Sequence, residues 1–386
     1  MADFLFMSKS YYILKIRIIS YLFLFLLINS IFIIKYGSRQ NFISIEIALF
    51  FYLISIASIL LIINYYDKFT KPILRYLFVF FAIFLVIIAN YLVDPMTLNV
   101  DRWSAMEVGI KALLNGEYPY TATDHMNGRT SNLPGLMLIG LPFYLMNDVG
   151  LLQVFTFLLF SFFTLQVLPS AKEKILSILL LLMSPSFFWE VIVKSDLMSN
   201  IFLGLLFIII IRKKIESKIP INPFGLGLIT SLLLMTRIVV FIPITLLLFH
   251  FFTQQNLVYK LKLILSIAVG IFLLISMVLI NCPSLEILKE FNPLNLQSHY
   301  TPTALNLIVL ILPIFLSHKI KNVNSLLFFS LLVMAIPIIY SFINVWYQYG
   351  MKSILINSSF DISYLGMLIP FLVILIPLNK DFKTIK

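Results

Sequence analysis

"ILRYLFVFFAIFLVIIANYLV", residues 73–93, contains one cation, Arg75, and meets its first acid only at Asp94, just past its end. A helix rises about 1.5 Å per residue, so a run of this length reaches across the ~30 Å hydrocarbon core of a bilayer. Inside that core no water is present to satisfy the backbone, and only a helix satisfies every N–H and C=O within the segment. The pattern recurs along the chain, beginning with "IISYLFLFLLINSIFIIKY" (18–36). With 61% hydrophobic and 12% charged residues, the chain is not an ordinary soluble domain, in which about a quarter of residues are charged. The expected fold class is therefore an all-α polytopic membrane protein.

Twelve crossings are expected, at about 18–36, 42–64, 73–93, 149–168, 174–188, 197–211, 225–236, 239–252, 262–281, 304–317, 324–345 and 362–378. Lys9, Lys15 and Arg17 precede the first run, and no small-residue cleavage site follows it, which predicts an uncleaved signal anchor. The net charge of +11 is read as a topology signal, positive residues staying cytoplasmic, and not as a nucleic-acid surface. The segment "LPGLMLIGLPFYLM" (133–146) decides the parity of everything after it. It is short, and Pro134 and Pro142 are expected to interrupt its helix hydrogen bonds. If it does not cross, the 28 Lys and Arg residues divide into 19 cytoplasmic and 9 exoplasmic; if it crosses, the division becomes 10 to 18. The positive-inside rule therefore predicts a re-entrant or interfacial segment, with both termini cytoplasmic. No internal repeat or Gly/Ser-rich linker divides the chain, so residues 1–386 read as a single membrane domain.

This topology leaves Asp3, Asp67, Glu173, Glu216 and Asp381 inside and turns the other acids outward, so candidate chemistry gathers on the exoplasmic face. The longest outer loop spans 93–132. In it Trp103, Met106, Ile110, Leu113 and Leu114 recur at helical spacing, with Arg102, Glu107 and Lys111 opposite, which predicts an amphipathic juxtamembrane helix. Asp101 stands where a carboxylate caps such a helix. "NGEYPY" (115–120) ends it, with Tyr118 and Tyr120 as interfacial anchors, and "TATDHMNGRTSNLPG" (121–135) leads back to the membrane.

An Asp near the end of an early crossing, an amphipathic helix, "GEYPY", a polar loop and then "NLPG" opening an apolar segment resemble the first outer loop of the GT-C superfamily. These are integral membrane glycosyltransferases, and the match is to their bacterial polyprenyl-phosphate-sugar-dependent, mannosyltransferase-like branches. "SPSFFWEVIVKSDLMSN" (184–200) resembles the family's helix, outer loop and acid-led helix, and "LLLMTRIVVFIP" (232–243) its pair of short helices with a basic residue between. The family places its acidic loop after the first crossing, whereas two further crossings precede the loop here.

The resemblance implies a GT-C-like fold and transfer of a mannose-like hexose from a polyprenyl-phosphate donor to an exoplasmic glycan, lipid or protein acceptor. It places the catalytic base on Asp101, with Asp94 the second candidate. Such transfer needs a carboxylate to take the acceptor proton and cations to meet the departing phosphate. Arg237, Arg129 and Lys194 are the cations expected there, and Arg237 stands out because it lies in an apolar stretch. Acceptor contacts are expected from Tyr118, Tyr120, Asp196, His299 and Tyr300, although "KSD" also makes Asp196 a helix cap. Metal dependence is left open, with Mg or Mn as the candidates. No nucleotide-binding motif occurs in the short basic cytoplasmic loops, which favours a lipid-linked donor and gives no reason for an organic cofactor. The single cysteine, Cys282, excludes an internal disulfide. The expected location is a bacterial inner membrane, with no nucleic acid as partner. Two other readings stay open: a polymerase or ligase of lipid-linked glycans, and a transporter or flippase, which would place ionisable groups along helices at mid-membrane.

Overall fold

The computed structural model describes residues 2–65, 71–297 and 301–379. Helices make up 78% of the structure, with no strand among the described residues. In chain order they are α1 (Ala2–Gly37), α2 (Ile45–Tyr65), α3 (Pro72–Tyr91), α4 (Arg102–Leu114), α5 (Pro134–Leu145), α6 (Leu151–Val167), α7 (Ala171–Leu182), α8 (Pro185–Ile192) and α9 (Leu197–Glu216). They continue with α10 (Pro223–Leu234), α11 (Phe241–Thr253), α12 (Leu257–Leu279), α13 (Leu285–Glu290), α14 (Pro293–Gln297), α15 (Thr303–Leu316), α16 (Val323–Leu355), α17 (Ser363–Gly366) and α18 (Ile369–Asn379).

Every predicted crossing falls on helix, but the helices differ in reach. Among the described residues five are long and apolar enough to cross alone: Ile16–Gly37, Ile45–Ile63, Pro72–Tyr91, Leu257–Leu279 and Val323–Leu355. The segment expected as one helix over 174–188 is instead two, α7 and α8, meeting at a 59° bend. Pro185 cannot donate to the preceding turn, and the groups freed there find a partner in Asn29 of α1. Asn29 Oδ1 accepts from Ser184 Oγ (2.7 Å), Ser186 Oγ (3.0 Å) and Ser186 N (3.2 Å). The remaining apolar helices, among them α6, α10, α11 and α15, have 17 residues or fewer. α9 is longer but ends in Arg212, Lys213 and Lys214. Apolar helices of this number and length are those of a multi-pass membrane protein.

The chain forms two compact units. The first comprises 1–86, 158–189 and 342–386. In it α18 packs on α1 and α7, and α2 on α1 and α7. Residues 369–377 of α18 are all buried, whereas α2 presents Ile47, Phe50, Phe51, Ile54, Leu61 and Ile62 outward. At one end of this unit Tyr36 stacks on Trp189, ring centroids 3.5 Å apart, and Lys35 Nζ reaches the Phe360 carbonyl at 3.5 Å.

The second unit comprises 87–157 and 190–341. Its most extensive helix pair is α10 with α12. The two helices approach closely where each carries small residues four apart, Gly227 and Ser231 on α10, Ser266 and Gly270 on α12. A Cβ at Gly270 would stand 2.0 Å from Ser231 Oγ, and one at Gly227 would stand 2.6 Å from Ser266 Cβ.

Segment 133–146 forms the single helix α5, which Pro142 does not end, against the expected interruption. Pro134 sits at its first turn, where no N–H is required. Twelve residues rise about 18 Å, well short of a bilayer core. Both flanks of α5 are tied to one short stretch. Ahead of it, Asn132 is bonded to Arg237, which pairs with Asp196; behind it, Asp148 pairs with Lys194. Asn90, at the end of α3, also reaches past α5 to the Gly150 carbonyl at 3.0 Å. The entry and exit of α5 are thus tied, through Arg237 to Asp196 and directly to Lys194, to residues two apart in sequence.

Candidate functional site

The polar residues of the second unit are built up from loop 93–132. α4 buries Met106 and Ile110, two members of the face its spacing predicted, and packs on α5, while Leu114 at its end is exposed. Asn115 and Gly116 (φ +71°) end it, and Glu117 N bonds back to the Ala112 carbonyl at 2.9 Å. Pro119 and the buried Tyr118 and Tyr120 then fold the chain under α4. The two tyrosine rings meet edge to face at 5.3 Å within a core that includes Met106, Ile110, Leu136 and Met137. They are therefore packing residues of the loop, and neither ring is exposed at a surface. Burial, followed by the charge of Cys282, pushes the Tyr118 hydroxyl up to about 12. Burial likewise raises that of Tyr120.

Asp101 occupies the residue before α4 but does not cap it with its side chain. A capping residue needs an extended backbone to turn its oxygen onto the first N–H groups, and Asp101 is already αR (φ −93°, ψ −4°). Its carboxylate turns instead toward the return arm of the loop. There Thr123 and Arg129 pair across a tight turn, organised by Asp124. Asp124 Oδ1 accepts from Met126 N at 2.8 Å and Gly128 N at 2.9 Å, and Asn127 is left-handed at φ +61°. A Cβ at Gly128 would stand 2.7 Å from Asp124 Oδ2 and 3.2 Å from Asp101 Oδ2, so the two carboxylates face one glycine. Asp124 is buried, and its Oδ2 has no hydrogen-bond partner among the described residues. Asp94, by contrast, is exposed and caps its own short turn, its Oδ1 accepting from Met96 N at 3.0 Å.

A second cluster lies at the start of α9. Asp196 holds the N-cap position and again makes no side-chain cap bond, against the capping expectation. Glu190 meets part of that need, its Oε2 accepting from Met198 N at 3.2 Å. Asp196 is thereby left to Arg237, whose Nε and Nη2 both reach its Oδ2, at 2.8 and 2.7 Å. Asn200, one turn on, donates Nδ2 to the same oxygen at 2.9 Å. Arg237 Nη2 also donates to Asn132 Oδ1 at 3.2 Å. All four residues are at most 4% exposed. Two charges are tolerated at such depth because they are paired and hydrogen-bonded.

The three cations expected at a donor phosphate thus have separate partners. Arg237 is paired with Asp196. Lys194 Nζ is held by both Asp148 oxygens, at 2.8 and 2.9 Å. Arg129 is exposed, its guanidinium 3.8 Å from the centre of the Phe291 ring. His299 and Tyr300 lie outside the described residues. Among the described residues no three His, Cys, Asp or Glu side chains converge on one point.

Sequence reasoning missed Asn132, Asn200 and Asp124. Asn132 opens "NLPG", and Asn200 stands four residues after Asp196, hence on its face of α9. Asp124 leads a five-residue turn ending at Gly128, the pattern of a carboxylate that accepts from its own loop. Comparison of the chain with protein-family models, curated proteins and solved structures found no match in any of the three.

Proposed function

We propose that the chain is a GT-C-type glycosyltransferase that moves a hexose from a polyprenyl-phosphate donor to a hydroxyl acceptor at the exoplasmic face of a bacterial inner membrane. One observation carries this reading. Three stretches matched to the family pattern contribute Asn132, Asp196 and Arg237 to one buried network, although they are far apart in sequence. Asp101, from the same loop as Asn132, is free of the capping role that competed for it.

In this reading Asp101 takes the proton of the acceptor hydroxyl as that oxygen bonds to C1 of the sugar. The bond from C1 to the phosphate oxygen breaks with inversion, and the polyprenyl phosphate leaves with the bonding pair. Arg129, exposed in the same loop, meets the phosphate charge. Arg237 and Lys194 already have carboxylates: Arg237 joins Asp196 to Asn132 of the loop, and Lys194 joins the same turn to Asp148 behind α5.

The test is sugar transfer by purified protein in liposomes offered a panel of polyprenyl-phosphate hexoses. A positioned base contributes about 10²–10⁴-fold, so Asp101→Asn is expected to lose that much turnover while Asp94→Asn stays near wild type. Wild-type turnover by Asp101→Asn would overturn the assignment. Failure to consume any donor would overturn the transferase reading and favour a transporter or flippase. The observation on that side is the Asp196–Arg237 pair, buried among apolar helices. Movement of a lipid-linked glycan between leaflets would then be measured in the same liposomes.

A further inference from the structure

The Asp196–Arg237 pair is bonded unevenly. An arginine fork usually engages both carboxylate oxygens. Here Nε, Nη2 and Asn200 Nδ2 all converge on Oδ2. Among the described residues the other oxygen, Oδ1, is buried and accepts nothing. The same holds for Asn200 Oδ1, an acceptor, and for Asn132 Nδ2, a donor. The amide assignments are fixed by the network: Asn132 must turn its oxygen to Arg237, and Asn200 must turn its nitrogen to Asp196 Oδ2 and the Asp196 carbonyl. Two open acceptors and one open donor therefore lie on residues joined through the Asp196–Arg237 pair, and each is costly to leave unmet.

Their chemistry narrows the ligand. Asp196 cancels the charge of Arg237, so the cluster offers no net cation to a phosphate. The groups left over are matched by hydroxyls, which donate and accept at once. A hydroxyl that donates to Asp196 Oδ1 and accepts from Asn132 Nδ2, with a neighbour on the same ring that donates to Asn200 Oδ1, would satisfy all three. We infer that Asn132, Asp196 and Asn200, organised by Arg237, form a subsite that reads a vicinal diol of a sugar ring.

The subsite is shut in this state, since its open atoms are sealed from solvent. Gln297, at the end of α14, ties its flanks. Its Nε2 donates to the Ser131 carbonyl at 2.6 Å, and its Oε1 accepts from Ile238 N at 2.9 Å. Ser131 and Ile238 are the immediate neighbours of Asn132 and Arg237, so a single side chain ties the two flanks of the subsite together. Entry of the ring requires that tie to open.

The choice of a sugar over another polyol rests on the transferase reading, and the test separates the two. Saturation-transfer NMR on nanodisc-embedded protein, with methyl hexopyranosides and their singly deoxygenated counterparts, reads binding without turnover. The inference predicts binding that two adjacent deoxy positions abolish. Asn132→Asp, which keeps the oxygen for Arg237 and removes the open donor, is expected to weaken binding at least about tenfold, the cost of one buried hydrogen bond. Asn200→Ser is expected to restore tolerance of the deoxy ring at the hydroxyl it reads. Gln297→Ala is expected to bind more tightly, because apparent affinity rises with the fraction of open protein. Equal binding of parent and deoxy sugars, or undiminished binding by Asn132→Asp, would overturn the subsite even if transfer occurs, as would no binding by both wild type and Gln297→Ala. Discriminating binding without transfer would leave the subsite standing and remove the transferase. Loss of the signal on adding a short-chain polyprenyl-phosphate hexose assigns the diol to the donor, and persistence assigns it to the acceptor.

Discussion

Asp196 and Arg237 are each the other's solvent. Removing one from a buried pair strands a charge, at about 3–5 kcal/mol. Asp196→Ala and Arg237→Ala are each expected to lose stability on that scale, and the double variant to lose clearly less than the two together. Denaturation of the four proteins in one detergent, read as a double-mutant cycle, checks this. Gly128 offers a second residue-scale prediction. Its Cβ would press on Asp124 Oδ2, so Gly128→Ala is expected to disturb the turn facing Asp101 and lower transfer while leaving the apolar helices intact, as circular dichroism would report. Tyr118 gives a pH dependence. Its hydroxyl is raised in the folded chain from the ordinary 10.0 to about 12. Its stabilising contribution is therefore complete below pH 10 and fades as pH rises through about 12, because the unfolded chain ionises first. Tyr118→Phe is expected to flatten the fall in melting temperature over that interval.

At the scale of elements, the α10–α12 pair depends on four small residues. Gly270→Val is expected to cost about 1–3 kcal/mol by overpacking against Ser231. Exchanging the two, Ser231→Gly with Gly270→Ser, should recover much of it in thermal melts. The apolar runs were legible because hydrocarbon permits only one backbone solution, and the α4 face because helical spacing is local. The break between α7 and α8 was not legible. Ser184 and Pro185 announce a weak point, but whether it bends depends on Asn29, far away in sequence. The expected caps at Asp101 and Asp196 failed because the position suited a cap while the backbone, αR at both residues, did not turn the carboxylate onto the first N–H groups, and at Asp196 a guanidinium far away in sequence holds it instead. Of the site, its charged members stood out as ionisable groups in an apolar chain. Its amides did not, since an Asn carries no sequence signal of what it will face.

At the scale of the molecule, the division into two units was hidden because each boundary, near residues 86, 157, 189 and 341, falls inside a helix and not in a linker. What the site requires of the whole chain is simpler. Loop 93–132, the 190–196 turn and the break around Arg237 must share one side of the membrane, with α5 not crossing it. The direct test uses single cysteines introduced at Asn127, Lys172 and Ile192 in a Cys282→Ser background, labelled from either side of sealed vesicles. The account predicts that positions 127 and 192 label from the same side and 172 from the opposite one. Labelling of 127 and 192 from opposite sides would make α5 a crossing segment and dismantle the site.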